Sequence, residues 1–80
     1  MKYFTYVIYS QSHNRLYKGL TQNIEKRLEE HNRGLTSSTK FYKPWMLIFS
    51  EEFSSRDEAR KREKFLKSGQ GRDFIKQFIK

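Results

Sequence analysis

The sequence predicts a small α/β sandwich with the element order β-β-α-β-α-α. Three observations carry that expectation. Residues 3–9, Tyr-Phe-Thr-Tyr-Val-Ile-Tyr, are β-branched or aromatic throughout, and polar turn formers separate them from a second short run at 15–20. Apolar residues then recur at helical spacing, first around Ile24 and Leu28, later around Ala59 and Leu66 and around Phe74 and Ile75. Between the first and second of these helices, Pro44-Trp45 opens a third apolar run.

The first run has no polar alternation and reads as a strand buried on both faces. Ser10 to Asn14 are turn formers and Arg15 to Leu20 is a second strand, so an antiparallel hairpin is the natural connection. Thr21 and Asn23 can cap the helix that follows, in which Ile24, Leu28 and His31 share a face with Arg27. Gly34 stands where a left-handed C-terminal residue is wanted. Leu35 to Lys43 is a polar loop that Pro44 ends, and Trp45 to Phe49 is a third strand running on towards Phe53. Ser55-Arg56-Asp57-Glu58 fits a capping box, with Ser55 as N-cap and Glu58 reaching back. That helix runs to about Lys67 and stops at Ser68-Gly69. A last helix from near Arg72 puts Phe74, Ile75, Phe78 and Ile79 on one stripe, with Lys76 and Lys80 outside it.

The chain has 80 residues, enough for one domain with a radius of gyration of roughly 12 Å. Aromatic residues reach 16%, which argues for a packed core rather than a disordered basic tail. Having no Cys excludes disulfide scaffolds and thiolate zinc sites, and two His cannot build a histidine-rich metal centre. No apolar run approaches the ~20 residues of a membrane span, and no signal-peptide pattern opens the chain, so the default compartment is cytoplasmic. Lys plus Arg number 17 against 9 Asp plus Glu, a formal charge of +8, which makes a polyanion the first partner to consider, nucleic acid ahead of acidic membrane. Residues 60–80 concentrate that charge, with eight basic residues and two acidic ones.

Several side chains are odd for their positions. Glu63 falls within the apolar stripe of the second helix, four after Ala59 and three before Leu66. Burying a carboxylate costs several kcal/mol unless it is paired or binds a metal, so Glu63 is either paired with a neighbouring Arg or ligates a divalent cation. Arg27 and His31, at i and i+4, are either a half-exposed helix edge or a guanidinium and imidazole aimed at one spot, as phosphate recognition and proton transfer require. Tyr6 and Tyr17 are core aromatics, or phenols that the hairpin brings to one region.

Taken in order, these residues resemble the GIY-YIG nuclease domain over nearly the whole chain, and most nearly its small stand-alone bacterial branch, related to the N-terminal nuclease domain of the excision-repair C subunit. The first tripeptide corresponds to Phe4-Thr5-Tyr6 and the second to Tyr17-Lys18-Gly19; Leu20 to Arg27 resembles the run ending in the family's catalytic Arg; His31 matches a His four residues on; and Glu58-Ala59-Arg60-Lys61-Arg62-Glu63 resembles the helix whose last Glu holds the metal. Phe4 and Thr5 replace the first Gly and Ile, Lys18 replaces the second Ile, Leu20 stands where many relatives have Lys, and Ser68 and Gln70 are the nearest matches for a later Asn.

The resemblance implies a three-stranded antiparallel sheet flanked by helices and an endonuclease that hydrolyses phosphodiesters with one divalent cation. Glu63 would hold Mg²⁺ or Mn²⁺ beside water and phosphate oxygens. Tyr6 or Tyr17 would activate the attacking water, Tyr6 slightly favoured, with nearby cations stabilising the phenolate. Arg27 would stabilise the phosphoryl oxygens, and His31 would orient the water or tyrosine, or relay its proton.

Lys18, Arg60, Lys64, Lys67 and Arg72 would contact the backbone of the polyanion, and Arg33, Lys40 and Lys43 around the loop could border the same groove. DNA, branched or duplex, is the expected partner in repair or recombination, although nothing in the residues separates it from RNA. With no zinc finger or helix-turn-helix, the chain has little machinery for reading bases, so cutting would be structure-selective or of low specificity unless a partner protein supplies targeting. The rival readings are a catalytically silent nucleic-acid-binding module on the same fold and an adaptor for an acidic protein.

Overall fold

In the computed structural model, residues 1–79 are described, and the elements follow the expected order: β1 (Tyr3–Ser10), β2 (Arg15–Thr21), α1 (Ile24–Asn32), β3 (Met46–Phe53), α2 (Arg56–Leu66) and α3 (Gly69–Lys76). The sheet is three-stranded in the order β2-β1-β3, with both pairings antiparallel. β1, β-branched or aromatic from Tyr3 to Tyr9, is the central strand, paired with β2 on one edge and β3 on the other, and both of its faces are covered. Tyr6 and Ile8 pack with Trp45, Tyr17 and Leu28 on one face, under α1 and the loop after it. Val7 packs with Leu66, Ile75, Ile48 and Phe49 on the other, under α2 and α3. Thr5, buried on that second face, donates its hydroxyl to the Ala59 carbonyl at 2.6 Å, so a polar side chain sits in the core with its hydrogen bond made.

The caps follow the sequence. Asn23 accepts the Lys26 N–H, while Thr21 braces Asn23 through its backbone. Ser55 Oγ accepts the Glu58 N–H and donates to Glu58 Oε1, so the box closes on the hydroxyl itself. On β3, Val7 pairs with Phe49 and Ile8 with Leu47, which leaves Ile48 as an extra residue. This bulge lets Ile48 and Phe49, adjacent in sequence, both reach the same core. The Asn32 side chain accepts the Trp45 N–H (2.6 Å) and donates to the Trp45 carbonyl (3.0 Å), clamping the end of α1 to the start of β3.

The last helix departs from expectation. It begins at Gly69, capped by Ser68 through the Gly71 N–H, and ends at Lys76. Two glycines so close together read as a break because of their poor helix propensity. Here packing overrides propensity: a Cβ on Gly71 would collide with the Phe65 carbonyl and the Leu66 backbone, so glycine is what lets α3 cross α2 this closely. Phe78 and Ile79 lie beyond the C-cap Gln77 yet still reach the apolar face, with the Phe78 ring 5.2 Å from Phe49 and 5.4 Å from Phe74. Lys80 lies outside the described residues.

Candidate active site

Strand register sets the first half of the site. Tyr6 pairs with Gly19 and Ile8 with Tyr17, so Tyr6 and Tyr17 are diagonal neighbours on the α1 face, with ring centroids 6.3 Å apart. The Tyr6 ring lies across Gly19: a Cβ there would stand 2.5 Å from Tyr6 Oη and 2.7 Å from Cζ. Glycine in the second tripeptide is thus a space requirement of the tyrosine in the first. Because β2 is an edge strand, α2 on the opposite face can present Arg56, Arg60 and Glu63 around that edge. Arg27 comes from the first turn of α1. Tyr6, Tyr17, Gly19, Arg27, Arg56, Arg60 and Glu63 all line one open pocket of about 440 Å³.

His31 stands behind the pocket. It is fully buried, with Nε2 3.0 Å from Tyr6 Oη and Nδ1 2.8 Å from Thr39 Oγ1. Thr39 Oγ1 donates to the Thr36 carbonyl (3.4 Å), which assigns the tautomer: Nδ1–H donates to Thr39, and Nε2 keeps a lone pair for the Tyr6 hydroxyl. Burial, reinforced by the Arg27 charge and opposed by Glu30, pulls the His31 pKa down to about 4, so the ring is neutral at pH 7. Burial likewise pushes the Tyr6 phenol up; Arg27 opposes that shift without overcoming it. The stabilised phenolate expected from nearby cations is therefore not the resting state, and Tyr6 keeps its proton, directed at His31.

Arg27 pairs with Glu30 at 3.0 Å. Burial would lower its pKa, but the contacts with Glu30, Tyr6 and Tyr17 prevail and hold it above its ordinary value, a permanent cation at the pocket wall. Glu63 is 16% exposed, and its partner is Lys67 at 3.3 Å rather than an arginine. The adjacent Arg62 is spent elsewhere, 2.8 Å from Glu51 and stacked over Phe65 and Phe74.

The predicted basic residues separate into groups. Arg60 lines the pocket. Lys18, Lys67 and Arg72 line a neighbouring depression that shares Tyr17 and Glu63 with it. Arg33 pairs with Glu29, Lys40 lies over the Phe41 ring, and Lys43 stands by Gly34; none of these three lines either depression. Lys64 is exposed on α2. Sequence reasoning missed Arg56 and Thr39. Arg56 carries a signal that could have found it, because 56, 60 and 63 follow one another at helical spacing and share a face. Thr39, in a polar loop, left no periodic signal.

Chemically the pocket suits a phosphodiester, with cations for the phosphoryl oxygens, phenols for proton transfer and a carboxylate for a hard metal ion. Known proteins point the same way. The model of the GIY-YIG catalytic domain matches residues 2–75, and the chain belongs to the GIY-YIG family, a nuclease family. It is 38% identical over 68 residues to UPF0213 protein SH2523 of Staphylococcus haemolyticus, covering 84% of this chain and 82% of that one. UPF0213 protein SSP2268 of Staphylococcus saprophyticus is 35% identical over 68 residues, with coverage of 84% and 82%. The solution NMR structure of UPF0213 protein BH0048 from Bacillus halodurans is similar in fold, with a TM-score of 0.58 at 22% identity over 99% of this chain and 86% of that one.

Two departures from the family pattern have a physical reading. Thr5 is absorbed into the core by its bond to Ala59. Ser68 is occupied capping α3, and neither it nor Gln70 lines the pocket. GIY-YIG nucleases typically use a divalent metal. Among the described residues no three His, Cys, Asp or Glu side chains gather to hold one. Glu63, the carboxylate of an open pocket, fits an ion that takes oxygen ligands and keeps several waters, which is the habit of Mg²⁺.

Proposed function

We propose that this chain is a metal-dependent endonuclease hydrolysing DNA phosphodiester bonds, structure-selective or of low specificity, and acting in the cytoplasm in DNA repair or recombination. The observation that carries the reading is the convergence of Tyr6, Tyr17, Arg27 and Glu63 on one pocket, with His31 bonded to Tyr6 from behind.

In this reading Arg27, helped by Arg56 and Arg60, holds the phosphoryl oxygens and stabilises the charge that builds on them. The attacking water gives its proton to Tyr6 Oη as Tyr6 gives its own to His31 Nε2. The oxygen so activated attacks phosphorus, the bond to the leaving oxygen breaks, the departing alkoxide takes a proton from solvent in the open pocket, and His31 releases its extra proton through Tyr6 to water. Thr39 fixes the His31 ring so that the Nε2 lone pair faces Tyr6. Tyr17 stands on the pocket side of His31, its ring 4.9 Å away, and flanks the water rather than receiving its proton. A Mg²⁺ or Mn²⁺ ion held by Glu63 would supply Lewis acidity at the phosphate and neutralise the leaving oxygen. The pocket offers cations to a backbone, which favours recognition of nucleic-acid shape over base sequence.

The test is incubation of the protein with branched, single-stranded and duplex DNA and with RNA, in Mg²⁺, Mn²⁺ or EDTA, beside Glu63→Ala. Metal-dependent cutting lost in the variant, with binding kept, is the expected result. Salt-sensitive binding with no cutting of any substrate overturns the reading in favour of a silent binding module.

A further inference from the structure

Beyond the wall formed by Tyr17 and Glu63 lies a second depression of about 500 Å³. Both residues line the two spaces, so the depressions are neighbours that share one rim. Strand alternation sends Lys18 away from Tyr17 and Gly19, towards α2 and α3, where it meets Lys67 and Arg72. Neither Lys18 nor Arg72 forms an ion pair among the described residues, and Lys67 shares its charge with Glu63. Solvated surface cations spread apart because like charges repel. These three instead converge on a concave surface, and burial together with the charges of Arg72 and Lys67 pulls the Lys18 pKa down. Three converging cations with one carboxylate between them, that of Glu63, leave a net positive charge that a bound anion would relieve.

We infer that Lys18, Lys67 and Arg72 form a subsite for the backbone phosphate next to the one that is cut, so that a nucleic-acid strand runs from Arg56 and Arg60, over Glu63 and Tyr17, into this second groove. The inference rests on the nuclease reading only for which phosphate is cut; occupancy of the groove by a strand does not depend on cleavage. Lysine supplies compact point charges here and arginine a fork, and both suit phosphate oxygens without reading bases.

The experiment is binding of a short fluorescein-labelled DNA single strand, followed by anisotropy in EDTA over a range of salt. Lys18→Ala with Arg72→Ala should weaken binding about tenfold at low salt. It should also flatten the salt dependence by roughly 0.7 in slope for each phosphate that the variant no longer neutralises. Lys61→Ala removes the same kind of charge from the side of α2 opposite Ala59 and should match wild type. Lys18→Arg with Arg72→Lys, which keeps the charges, should restore the slope. Arg72 is exposed, so Arg72→Ala alone remains informative if the double variant unfolds. Affinity and slope indistinguishable from Lys61→Ala overturn the subsite, even where Glu63-dependent cleavage upholds the nuclease. Loss of slope in a protein that cuts nothing upholds the subsite and overturns only the nuclease.

Discussion

Acid should destabilise this protein through one buried histidine. His31 is fully buried, and its pKa lies at about 4 against an ordinary 6.5, because burial and the Arg27 charge disfavour the imidazolium. Between those two values the unfolded chain binds a proton that the folded chain does not. The folded state therefore keeps its full advantage above pH 6.5, loses it as pH falls, and stops losing it near pH 4. At 1.36 kcal/mol per unit, the whole gap corresponds to about 3 kcal/mol, of which about 2 kcal/mol is lost by pH 5. A domain of this size has roughly 5–10 kcal/mol in all, so the effect is large.

Urea unfolding followed by Trp45 fluorescence between about pH 7 and pH 5 measures it directly. His31→Gln replaces the imidazole with a neutral amide and should give a lower but nearly pH-independent stability over that range. The reasoning fails if wild type is flat from about pH 7 to pH 5, or if His31→Gln keeps the wild-type slope.

Two further substitutions probe the pocket. Gly19→Ala drives a methyl group into a Tyr6 ring that His31 holds in place, which should cost about 1–3 kcal/mol of stability and reduce cleavage beyond what partial unfolding explains; an unchanged urea midpoint would contradict this. Tyr6→Phe should lower the cleavage rate by about 10²–10⁴ and leave His31 Nε2 buried without its donor, whereas Tyr17→Phe should cost less of both; the reverse order in single-turnover rates would make Tyr17 the group that takes the proton.

Local chemistry was legible in the sequence where one short segment decides the outcome. The hairpin, the Asn23 and Ser55 caps and the burial of β1 on both faces follow from turn formers, capping residues and a run that is β-branched or aromatic throughout. The start of α3 was not legible, because Gly71 reads as a helix breaker until the approach of Phe65 and Leu66 is known. At the candidate site, the places of the tyrosines, Arg27 and Glu63 on strand and helix faces left each open between a structural and a functional role, and the resemblance to the GIY-YIG domain joined them. Thr39 is invisible in the same way as α3: its role depends on a loop folding back over α1, and only tertiary structure puts it 2.8 Å from His31. The partner of Glu63 was misplaced for a third reason. Arg62 is adjacent in sequence but faces Glu51, whereas Lys67 lies one turn on, at the i+4 spacing where helical side chains meet.

The second tripeptide shows how one edge strand serves two faces. Alternation puts Tyr17 and Gly19 towards α1, the first as a wall of the pocket and the second as the space into which Tyr6 fits. The residue between them must point the other way, towards α2 and α3, where the family pattern has an apolar side chain. In this chain that position is Lys18, half-buried beside Lys67 and Arg72. A lysine there puts a charge where the pattern has an apolar side chain and crowds three cations, of which only Lys67 has an acidic partner among the described residues. Lys18 stands on the face opposite Tyr6, Tyr17 and Gly19. What it changes is the charge of the surface that begins where the pocket ends, and a polyanion crossing Glu63 would meet that surface next.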